Sequence, residues 1–232
     1  MNSKRFWLGV VVALVLVAVA AAAFIWFSGG SGEASQAIDA PTLDAAASDA
    51  EGSATTFNII PEESEVRFLL DEDLRGQRVT VVGVTNQVAG QLAVDFAAPA
   101  NSEVGVIRIN VRTLATDNEF RNRAIRGQIL QSQNDEFEFA QFTPTAISGL
   151  PETLTIGEPI TFQITGDLLI RDVSQPVTFE TTVTPVSETR LEGQARAVIQ
   201  RGDYGLTIPS VPGVANVEEE VELEIDFAAT AA

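Results

Sequence analysis

The strongest constraint on the fold is an alternation of apolar and polar residues that recurs from about Thr55 to Phe227. The final segment, EVELEIDF at 220–227, is the clearest case, because every second residue is apolar and the others are acidic. Successive side chains of a β-strand point to opposite faces, so this period of two predicts a strand with one dry face and one solvated face.

The same pattern places further sets of apolar residues on the dry faces of other strands. The sets include Val66, Phe68 and Leu70; Ile107, Ile109 and Val111; Phe162, Ile164, Leu168 and Ile170; Val177, Phe179 and Val183; and Leu223 and Ile225. Residues 78–96 are long enough for two strands with a turn near residues 85–90. Short turn-forming segments such as IPSVPG at 208–213 separate the strands, which predicts an antiparallel barrel or sandwich.

One segment, DNEFRNRAIRGQIL at 117–130, departs from the alternation. Thr116 and Glu119 have the spacing of a capping box, in which a Thr N-cap is followed three residues later by Glu. We therefore predict a short helix over about residues 117–126, or as far as 131, with Phe120 and Ala124 facing the apolar interior.

The N-terminus contains 22 residues without a charge, from Phe6 to Phe27. At ~1.5 Å per residue, a helix of this length reaches ~33 Å, enough to cross a hydrocarbon core of ~30 Å. Lys4 and Arg5 precede the run, so the positive-inside rule predicts a cytoplasmic N-terminus and an extracytoplasmic C-terminal domain. The alternative is a cleaved signal peptide, whose apolar core is usually only ~7–15 residues long, and cleavage would make the protein secreted.

The segment after the apolar run, residues 28–54, consists mainly of small and acidic residues and has almost no large apolar side chains. Such a composition cannot bury enough surface to fold, which predicts a flexible linker. The predicted organisation is therefore a cytoplasmic N-terminus at 1–5, a transmembrane anchor at 6–27 and a linker at 28–54. A barrel domain at 55–228 and a tail at 229–232 follow.

The composition excludes several classes of function. The chain has no cysteine and no histidine, which removes thiolate nucleophiles, His-dependent catalytic triads and the usual zinc sites. A formal net charge of -18 opposes binding to nucleic acid. The acidic runs lack the spacing of a calcium loop, and nothing selects a catalytic pair among the 32 acids. We predict no metal, no catalytic residue and no enzyme activity.

Several motifs together resemble the YceI-like family of bacterial lipid-binding proteins. The matching segments are TLATDNEFRNRAIRGQIL at 113–130, ITGDLLIRDVSQPVTF at 164–179 and QRGDYGLTIP at 200–209. The second is the most specific, because it matches about eight positions around one hairpin. There are departures: Glu63-Ser64 stands where the family often has His-Ser, and Asn122 replaces an Asp.

The resemblance implies an all-β fold, an eight-stranded antiparallel lipocalin-like barrel with a short helical excursion. It also implies non-covalent binding of a polyisoprenoid in the barrel lumen, without a cofactor. The dry faces then supply candidate ligand-binding residues, to which Arg121 is added because it matches a family position. The candidates are Phe68, Leu70, Phe96, Ile107, Ile109, Val111, Phe120, Phe162, Ile164, Leu168, Phe179, Leu223, Ile225 and Arg121.

Two interpretations of the three arginines of the predicted helix stay open. Arginine binds phosphate groups bidentately, so Arg121, Arg123 and Arg126 could receive a lipid phosphate. Alternatively they form a solvated helix face that pairs with nearby acids. We interpret Arg123 and Arg126 as solvent-facing and assign Arg121 either to the ligand or to bracing of the barrel.

The leading hypothesis is a membrane-tethered extracytoplasmic protein that holds an isoprenoid-type lipid, a polyprenyl phosphate or a quinone tail, for sequestration or transport. Its partners would be that lipid and, through the N-terminal helix, the cytoplasmic membrane. The alternative hypothesis is an acidic protein-interaction module, whose barrel core is filled with side chains and takes no lipid. Alternation alone does not distinguish a cavity from a filled core.

Overall fold

The computed structural model describes residues 3–43 and 54–232. Residues 1 and 2 of the predicted cytoplasmic segment, and residues 44–53 of the predicted linker, lie outside this range. Among the residues described, the α-helices are α1, Ser3–Ser28, and α2, Glu119–Ala124, and a π-helical turn, Ile125–Ile129, continues α2. Short 3-10 turns occur at Pro61–Glu63, Pro99–Asn101, Val111–Thr113, Asp135–Phe137 and Arg201–Tyr204.

Most of the chain after residue 54 forms one antiparallel sheet. Its strands are β1 (Thr55–Ile59), β2 (Glu65–Leu74), β3 (Gln77–Thr85), β4 (Val88–Ala89), β5 (Gln91–Val94), β6 (Glu103–Val104), β7 (Ile107–Asn110), β8 (Phe139–Ser148), β9 (Ile160–Ile170), β10 (Val173–Ser187), β11 (Arg190–Gln200), β12 (Val214–Ala215) and β13 (Glu220–Ala231). The main path through the sheet is β4-β7-β8-β9-β10-β11-β13-β1-β5-β6, and β2, β3 and β12 branch from it.

The sheet curls around its last strand, β13, which pairs with two different strands along one of its edges. Along one edge β13 pairs with β11 over residues 220–230. Along the other edge it pairs with β2 over residues 222–226 and then with β1 over residues 229–231. β3 follows β2 and meets the segment after β7 through a bridge between Val84 and Ala115. The result is a curled half-barrel, consistent with the predicted lipocalin-like fold.

The predicted count of eight strands is wrong. The part of the sheet that the structure describes has thirteen strands, three of which, β4, β6 and β12, have only two residues. Residues 78–96 form parts of three strands where two were predicted. The extra break falls at Gly90, where a Cβ would collide with the side chain of Ile107. At Gly90 the chain changes its pairing partner, since β4 before it pairs with β7 and β5 after it pairs with β1.

The dry faces of the strands meet in one apolar interior, as the alternation predicted. Phe142 and Phe179 pack edge to face, with ring centroids 5.0 Å apart. One end of the interior is filled by Phe57, Leu191 and Ala229, whose exposed fractions are 2% or less. This layer closes the barrel at that end.

The residues after α1 lie along the outside of the half-barrel. Leu43 donates its backbone N–H to Oε1 of Gln91 at 2.7 Å, and Arg108 pairs with Asp39 at 3.4 Å. These contacts involve residues 29–43, part of the predicted linker, whose flexibility and boundaries stay predictions.

A buried ion pair anchors one of these contacts. The carboxylate of Glu138, 1% exposed, accepts hydrogen bonds from the backbone N–H and hydroxyl of Ser35 and from Nδ2 of Asn110, and it pairs with Arg112 at 3.3 Å. Burial by itself raises the pKa of Glu138, but the hydrogen bonds from Ser35 and Asn110 and the charge of Arg112 outweigh it and lower this pKa. The ionised carboxylate is therefore the form that the fold stabilises.

Candidate ligand-binding cavity

The interior of the half-barrel contains a cavity of about 420 Å³. Its walls are the dry faces of the strands, and its lining is predominantly apolar. The closed end is the layer of Phe57, Leu191 and Ala229. Binding sites for small molecules commonly enclose ~300–1,000 Å³ and have mainly apolar walls, so the dimensions suit a lipid chain.

The structure brings together all but one of the candidate residues taken from the sequence. The lining includes Phe68, Leu70, Ile107, Ile109, Val111, Phe120, Phe162, Ile164, Leu168, Phe179, Leu223, Ile225 and Arg121. Phe96 lies outside this lining and packs instead against Phe57, with ring centroids 6.3 Å apart. The residues thus form one surface, while their contact with a ligand stays a prediction.

Sequence reasoning missed the residues at the open end of the cavity. There the loop at 205–217, called the rim loop below, contributes Ile208, Pro209, Val211 and Pro212 to the lining. Its Pro and Gly residues indicated only a turn. A signal was nevertheless present, because the rim loop has no charged residue in a chain with a net charge of -18.

Two other segments border the open end. One is the tip of the β2–β3 hairpin, with Leu74 and Arg75, and the other is α2, with Phe120 and Arg121. The rim loop, the hairpin tip and α2 together form the mouth of the cavity.

The cavity has few polar side chains on its walls. Deep in it, the buried hydroxyl of Thr181 has no hydrogen-bond partner within the described ranges. At the mouth, Glu72 is 6% exposed and pairs with Arg121 at 2.9 Å. A second ion pair on the walls joins Arg67 to the buried carboxylate of Glu224 at 2.9 Å. Apart from such paired groups, a ligand that enters meets mainly apolar walls.

The helical segment, α2 together with the π-helical turn that continues it, covers residues 119–129, close to the predicted extent, but it has a different cap. Asn118 is the N-cap, and its side chain accepts hydrogen bonds from the backbone N–H groups of Phe120 and Arg121. Thr116, predicted as the cap, instead donates its hydroxyl to Oδ1 of Asn122 at 2.7 Å. The capping-box prediction was wrong because Asn118 is equally suited to capping and lies nearer the helix.

The prediction that Arg123 and Arg126 face solvent was also wrong. Arg126 is 3% exposed, donates to the backbone oxygen of Gly29 at 2.8 Å and pairs with Glu119 at 3.1 Å. Arg123 lies 4.0 Å from the ring centroid of Trp26 and donates to its backbone oxygen at 2.8 Å. Both arginines therefore bind the C-terminal end of α1 and the residue that follows it. The helix pattern could not reveal this contact.

Arg121 has a different environment from the other two arginines. Besides Glu72, it pairs with Asp117, an exposed residue four positions earlier, at 2.6 Å. The Glu72 carboxylate is buried, so the guanidinium of Arg121 compensates a charge that would otherwise lie unpaired in an apolar wall. This position supports the bracing role among the two that the sequence left open.

Replacing Arg121 with Ala should therefore destabilise the protein by about 2 kcal/mol, because the buried carboxylate of Glu72 loses its partner. Thermal unfolding of the full chain in mild detergent measures this. The matched control is Asp117→Ala, which removes the exposed partner of the same guanidinium and should change the melting temperature little. An Arg121→Ala variant with unchanged melting but weakened lipid binding would contradict bracing and assign Arg121 to the ligand.

The fold and cavity have counterparts among known proteins. A family model described as the YceI-like domain matches residues 57–229 of the chain. The chain belongs to the YceI-like family. This match confirms the family resemblance that the motifs of the sequence indicated.

Two solved structures are similar to this YceI-like protein in fold. One is a "polyisoprenoid binding domain from Saccharophagus degradans implicated in plant cell wall breakdown", 16% identical, with a TM-score of 0.60 over 77% of this chain and 99% of that chain. The other is BcnA of Burkholderia cenocepacia, 19% identical, with a TM-score of 0.59 over 74% of this chain and 99% of that chain. The comparison with curated proteins found no match.

The structure explains residues of the YceI-like motifs in physical terms. Gly166 lies where a Cβ would collide with the backbone of Thr143 and Pro144 and the ring of Phe142, so the hairpin motif requires glycine there. Ser64, part of the Glu-Ser pair that departs from the family, is buried and donates its hydroxyl to the backbone oxygen of Ile60 at 2.7 Å. That serine therefore stabilises the 3-10 turn before β2.

Tyr204 lies in the third matching segment, residues 200–209, and its hydroxyl has no hydrogen-bond partner among the residues described. The side chain is 2% exposed. Burial, with a smaller effect from the charge of Asp203, raises the pKa of Tyr204 to about 12. A buried hydroxyl without a hydrogen bond destabilises the folded state.

Replacing Tyr204 with Phe is accordingly expected to raise the free energy of unfolding by about 1 kcal/mol. A raised pKa favours the folded state below the ordinary value of 10.0, and this contribution is lost as the pH rises toward 12. The unmodified protein should thus lose more stability than the variant over that range. Tyr204 is the only tyrosine, so tyrosinate absorbance reports this group alone. Titration near pH 10 in the folded protein would contradict the account.

Proposed function

We propose that this YceI-like protein binds an isoprenoid-type lipid, a polyprenyl phosphate or a quinone tail, in the cavity of its half-barrel. The observation that carries the proposal is the apolar cavity of about 420 Å³, closed at one end and open at the mouth. An elongated apolar chain with a more polar head group fits such a space, with the tail inside and the head at the mouth.

The energetics of the lining favour a long hydrocarbon chain. Transfer of each CH₂ group from water is worth ~0.8 kcal/mol, so burial of even two five-carbon units supplies up to ~8 kcal/mol before the costs of ordering the chain. The walls need no catalytic group for this, and we propose binding without catalysis. The Saccharophagus degradans protein described as a polyisoprenoid binding domain has the same fold, which supports an isoprenoid ligand here.

We further propose that the protein is tethered to the cytoplasmic membrane with the barrel on its outer side. Among the residues described, one helix is long and apolar enough to cross a membrane, Val10–Ser28, with a mean hydropathy of 2.9. Lys4 and Arg5 before it favour a cytoplasmic N-terminus. A signal sequence has the same properties, and N-terminal sequencing of the mature protein distinguishes the two.

The alternative of an acidic interaction module with a filled core is disfavoured by the cavity. A solid barrel interior would leave no volume between Phe179, Ile164 and the opposite strands, whereas these residues border open space. The cavity thus favours the lipid hypothesis over a protein-binding one.

A displacement titration tests the proposal. The full chain in mild detergent is loaded with a fluorescent prenyl probe, and unlabelled polyprenyl phosphate, a quinone with a prenyl tail and a straight-chain fatty acid are added in turn. The two prenyl lipids should displace the probe at lower concentration than the fatty acid. Failure of both prenyl lipids to bind would overturn the proposal, and preference for one identifies the head group.

A further inference from the structure

We propose that the mouth of the cavity docks on the surface of a lipid bilayer, with the rim loop as the main contact. This inference rests on the proposed function, since it describes how a membrane lipid reaches the cavity. The partner of this surface is the lipid bilayer itself. In the docked orientation, the open end of the half-barrel faces the membrane.

The rim loop has the chemistry of a membrane contact. It runs for thirteen residues, 205–217, without a charge, between Asp203 and Glu218. Ile208, Val211 and Pro212 lie at its turn and are partly or fully exposed while they border the cavity. Uncharged apolar side chains enter the interfacial region of a bilayer without the cost of removing a charge from water.

The rim loop is anchored at its two ends, where Arg201 donates to the backbone oxygen of Leu206 and Asn216 donates to Asp73, while residues 207–212 make no hydrogen bond to the rest of the described structure. Its regular pairing is confined to β12, in which Val214 and Ala215 face Leu74 and Asp73 of β2. One more backbone hydrogen bond, from Arg75 to Gly213, joins it to the hairpin tip. A segment with few backbone bonds opens at low cost, so the rim loop can move aside to admit a lipid.

Beside the rim loop, the hairpin tip supplies a cation. Arg75 is exposed, adopts a positive φ of 53° and makes no ion pair within the ranges that the structure describes. Arginine binds phosphate groups through two parallel hydrogen bonds. The guanidinium is therefore available to a lipid phosphate at the membrane surface.

The position of α1 gives independent support. Arg123 and Arg126 of the α2 segment hold the end of α1, at Trp26 and Gly29. On the same helix, Phe120 lines the cavity, only ~5 Å from Arg123 along the helix axis at ~1.5 Å per residue. The residues of α1 that the structure describes are mostly exposed, so the helix stands clear of the barrel. If α1 crosses the bilayer, the membrane surface therefore lies beside the mouth.

This arrangement gives a lipid a route that avoids water. A chain can leave the bilayer between the rim loop and α2 and enter the cavity with its tail first. A mouth that faced away from the membrane would require the whole apolar tail to cross the aqueous phase.

Site-directed labelling of the full chain tests the docking. The protein contains no cysteine, so Ser210→Cys in the rim loop and Glu188→Cys at the opposite end of the barrel each carry a single fluorophore. Both sites are exposed, and the proteins are reconstituted in nanodiscs of phosphatidylcholine containing nitroxide-labelled lipid. We expect several-fold stronger quenching at Ser210→Cys than at Glu188→Cys.

Equal, weak quenching at the two sites would overturn the inference. Shielding of the rim label from aqueous iodide without quenching by the nitroxide lipid would also overturn it, because the rim would then face a protein. In a second arm, Ser210→Glu should slow the uptake of a fluorescent prenyl lipid from vesicles, while Thr189→Glu at the far end should not. Ser210→Glu should leave the affinity measured in detergent unchanged.

The two arms separate failure of this inference from failure of the proposed function. Prenyl lipid binding in detergent, together with equal quenching at both sites, would reject the docking surface and keep the lipid-binding function. Absence of prenyl lipid binding in detergent would reject the function. An unchanged rate of uptake by Ser210→Glu would contradict docking through the rim loop.

Discussion

Replacing Glu138 with Ala is expected to destabilise the protein by about 3–5 kcal/mol, the usual cost of breaking a buried ion pair by removing one partner. Glu138 is 1% exposed and compensates the guanidinium of Arg112, which is itself buried. The substitution also removes the acceptor for Ser35 and Asn110. Thermal unfolding in mild detergent measures the loss.

The matched control is Asp135→Ala. Asp135 pairs with the same guanidinium at 2.7 Å, but its side chain is 85% exposed, so water replaces it at little cost. Equal destabilisation by the two substitutions would contradict the role assigned to burial. It would indicate that the free energy of unfolding depends on how many carboxylates surround Arg112 and not on how deeply each one is buried.

The same carboxylate predicts a loss of stability in acid. Its pKa is lowered in the folded state, so its contribution is fully present above the ordinary value of 4.5 and is lost as the pH falls through the lower, folded value. The stability difference between the unmodified protein and Glu138→Ala should therefore narrow below pH 4.5. A difference that stays constant into strong acid would contradict this.

Replacing Ala195 with Phe is expected to abolish most lipid binding while the protein stays folded. Ala195 lines the cavity on β11, between Thr181 of β10 and Ile225 of β13. Apolar cavities of about 150 Å³ accept a benzene ring, so a cavity of about 420 Å³ can take the new side chain with little overpacking.

The expected size of the effect follows from the volume that the ring occupies. Displacing one five-carbon unit of a prenyl chain forfeits up to ~4 kcal/mol, so the affinity should fall by about tenfold to a thousandfold. The control is Val198→Phe on the outer face of the same strand, where Val198 is 60% exposed. Undiminished prenyl binding by a folded Ala195→Phe variant would place the ligand outside the cavity.

The alternation in the sequence predicted the faces of the strands well, and the physical reason is simple. β13 pairs with β11 along one edge and with β2 and β1 along the other, so its period of two decides which side chains face the interior. Leu223 and Ile225 accordingly border the cavity. Phe96 differs because it follows β5 and packs on Phe57, outside the wall of the cavity.

The features that the sequence did not predict depend on distant contacts. Arg126 looks like a surface residue in a helical pattern, and only its contact with Gly29, 97 positions earlier, explains its burial. The rim loop was interpreted as a turn because of its Pro and Gly residues, while its place in the cavity lining depends on its pairing with the distant hairpin tip. One of the unpredicted strand breaks falls at Gly90, where the chain changes its pairing partner from β7 to β1, and such a change has no local signature in the sequence.

The contact between α1 and α2 links the proposed lipid binding in the cavity to the proposed membrane tether. A tether alone would keep a lipid-binding barrel near the membrane, whereas the contacts of Arg123 and Arg126 with the end of α1 would also place the mouth beside the membrane if α1 spans it. Sequestration and transport both require exchange with the bilayer, and a mouth at the membrane surface shortens that exchange.

The central claim is that the cavity holds an isoprenoid-type lipid, and native mass spectrometry of the full chain, purified gently in mild detergent, tests it most directly. The account predicts one bound lipid per chain, which organic extraction identifies as a polyprenyl phosphate or a prenylated quinone and which Ala195→Phe no longer retains. A chain that carries no lipid, and takes up neither prenyl phosphate nor quinone when they are supplied, would contradict it.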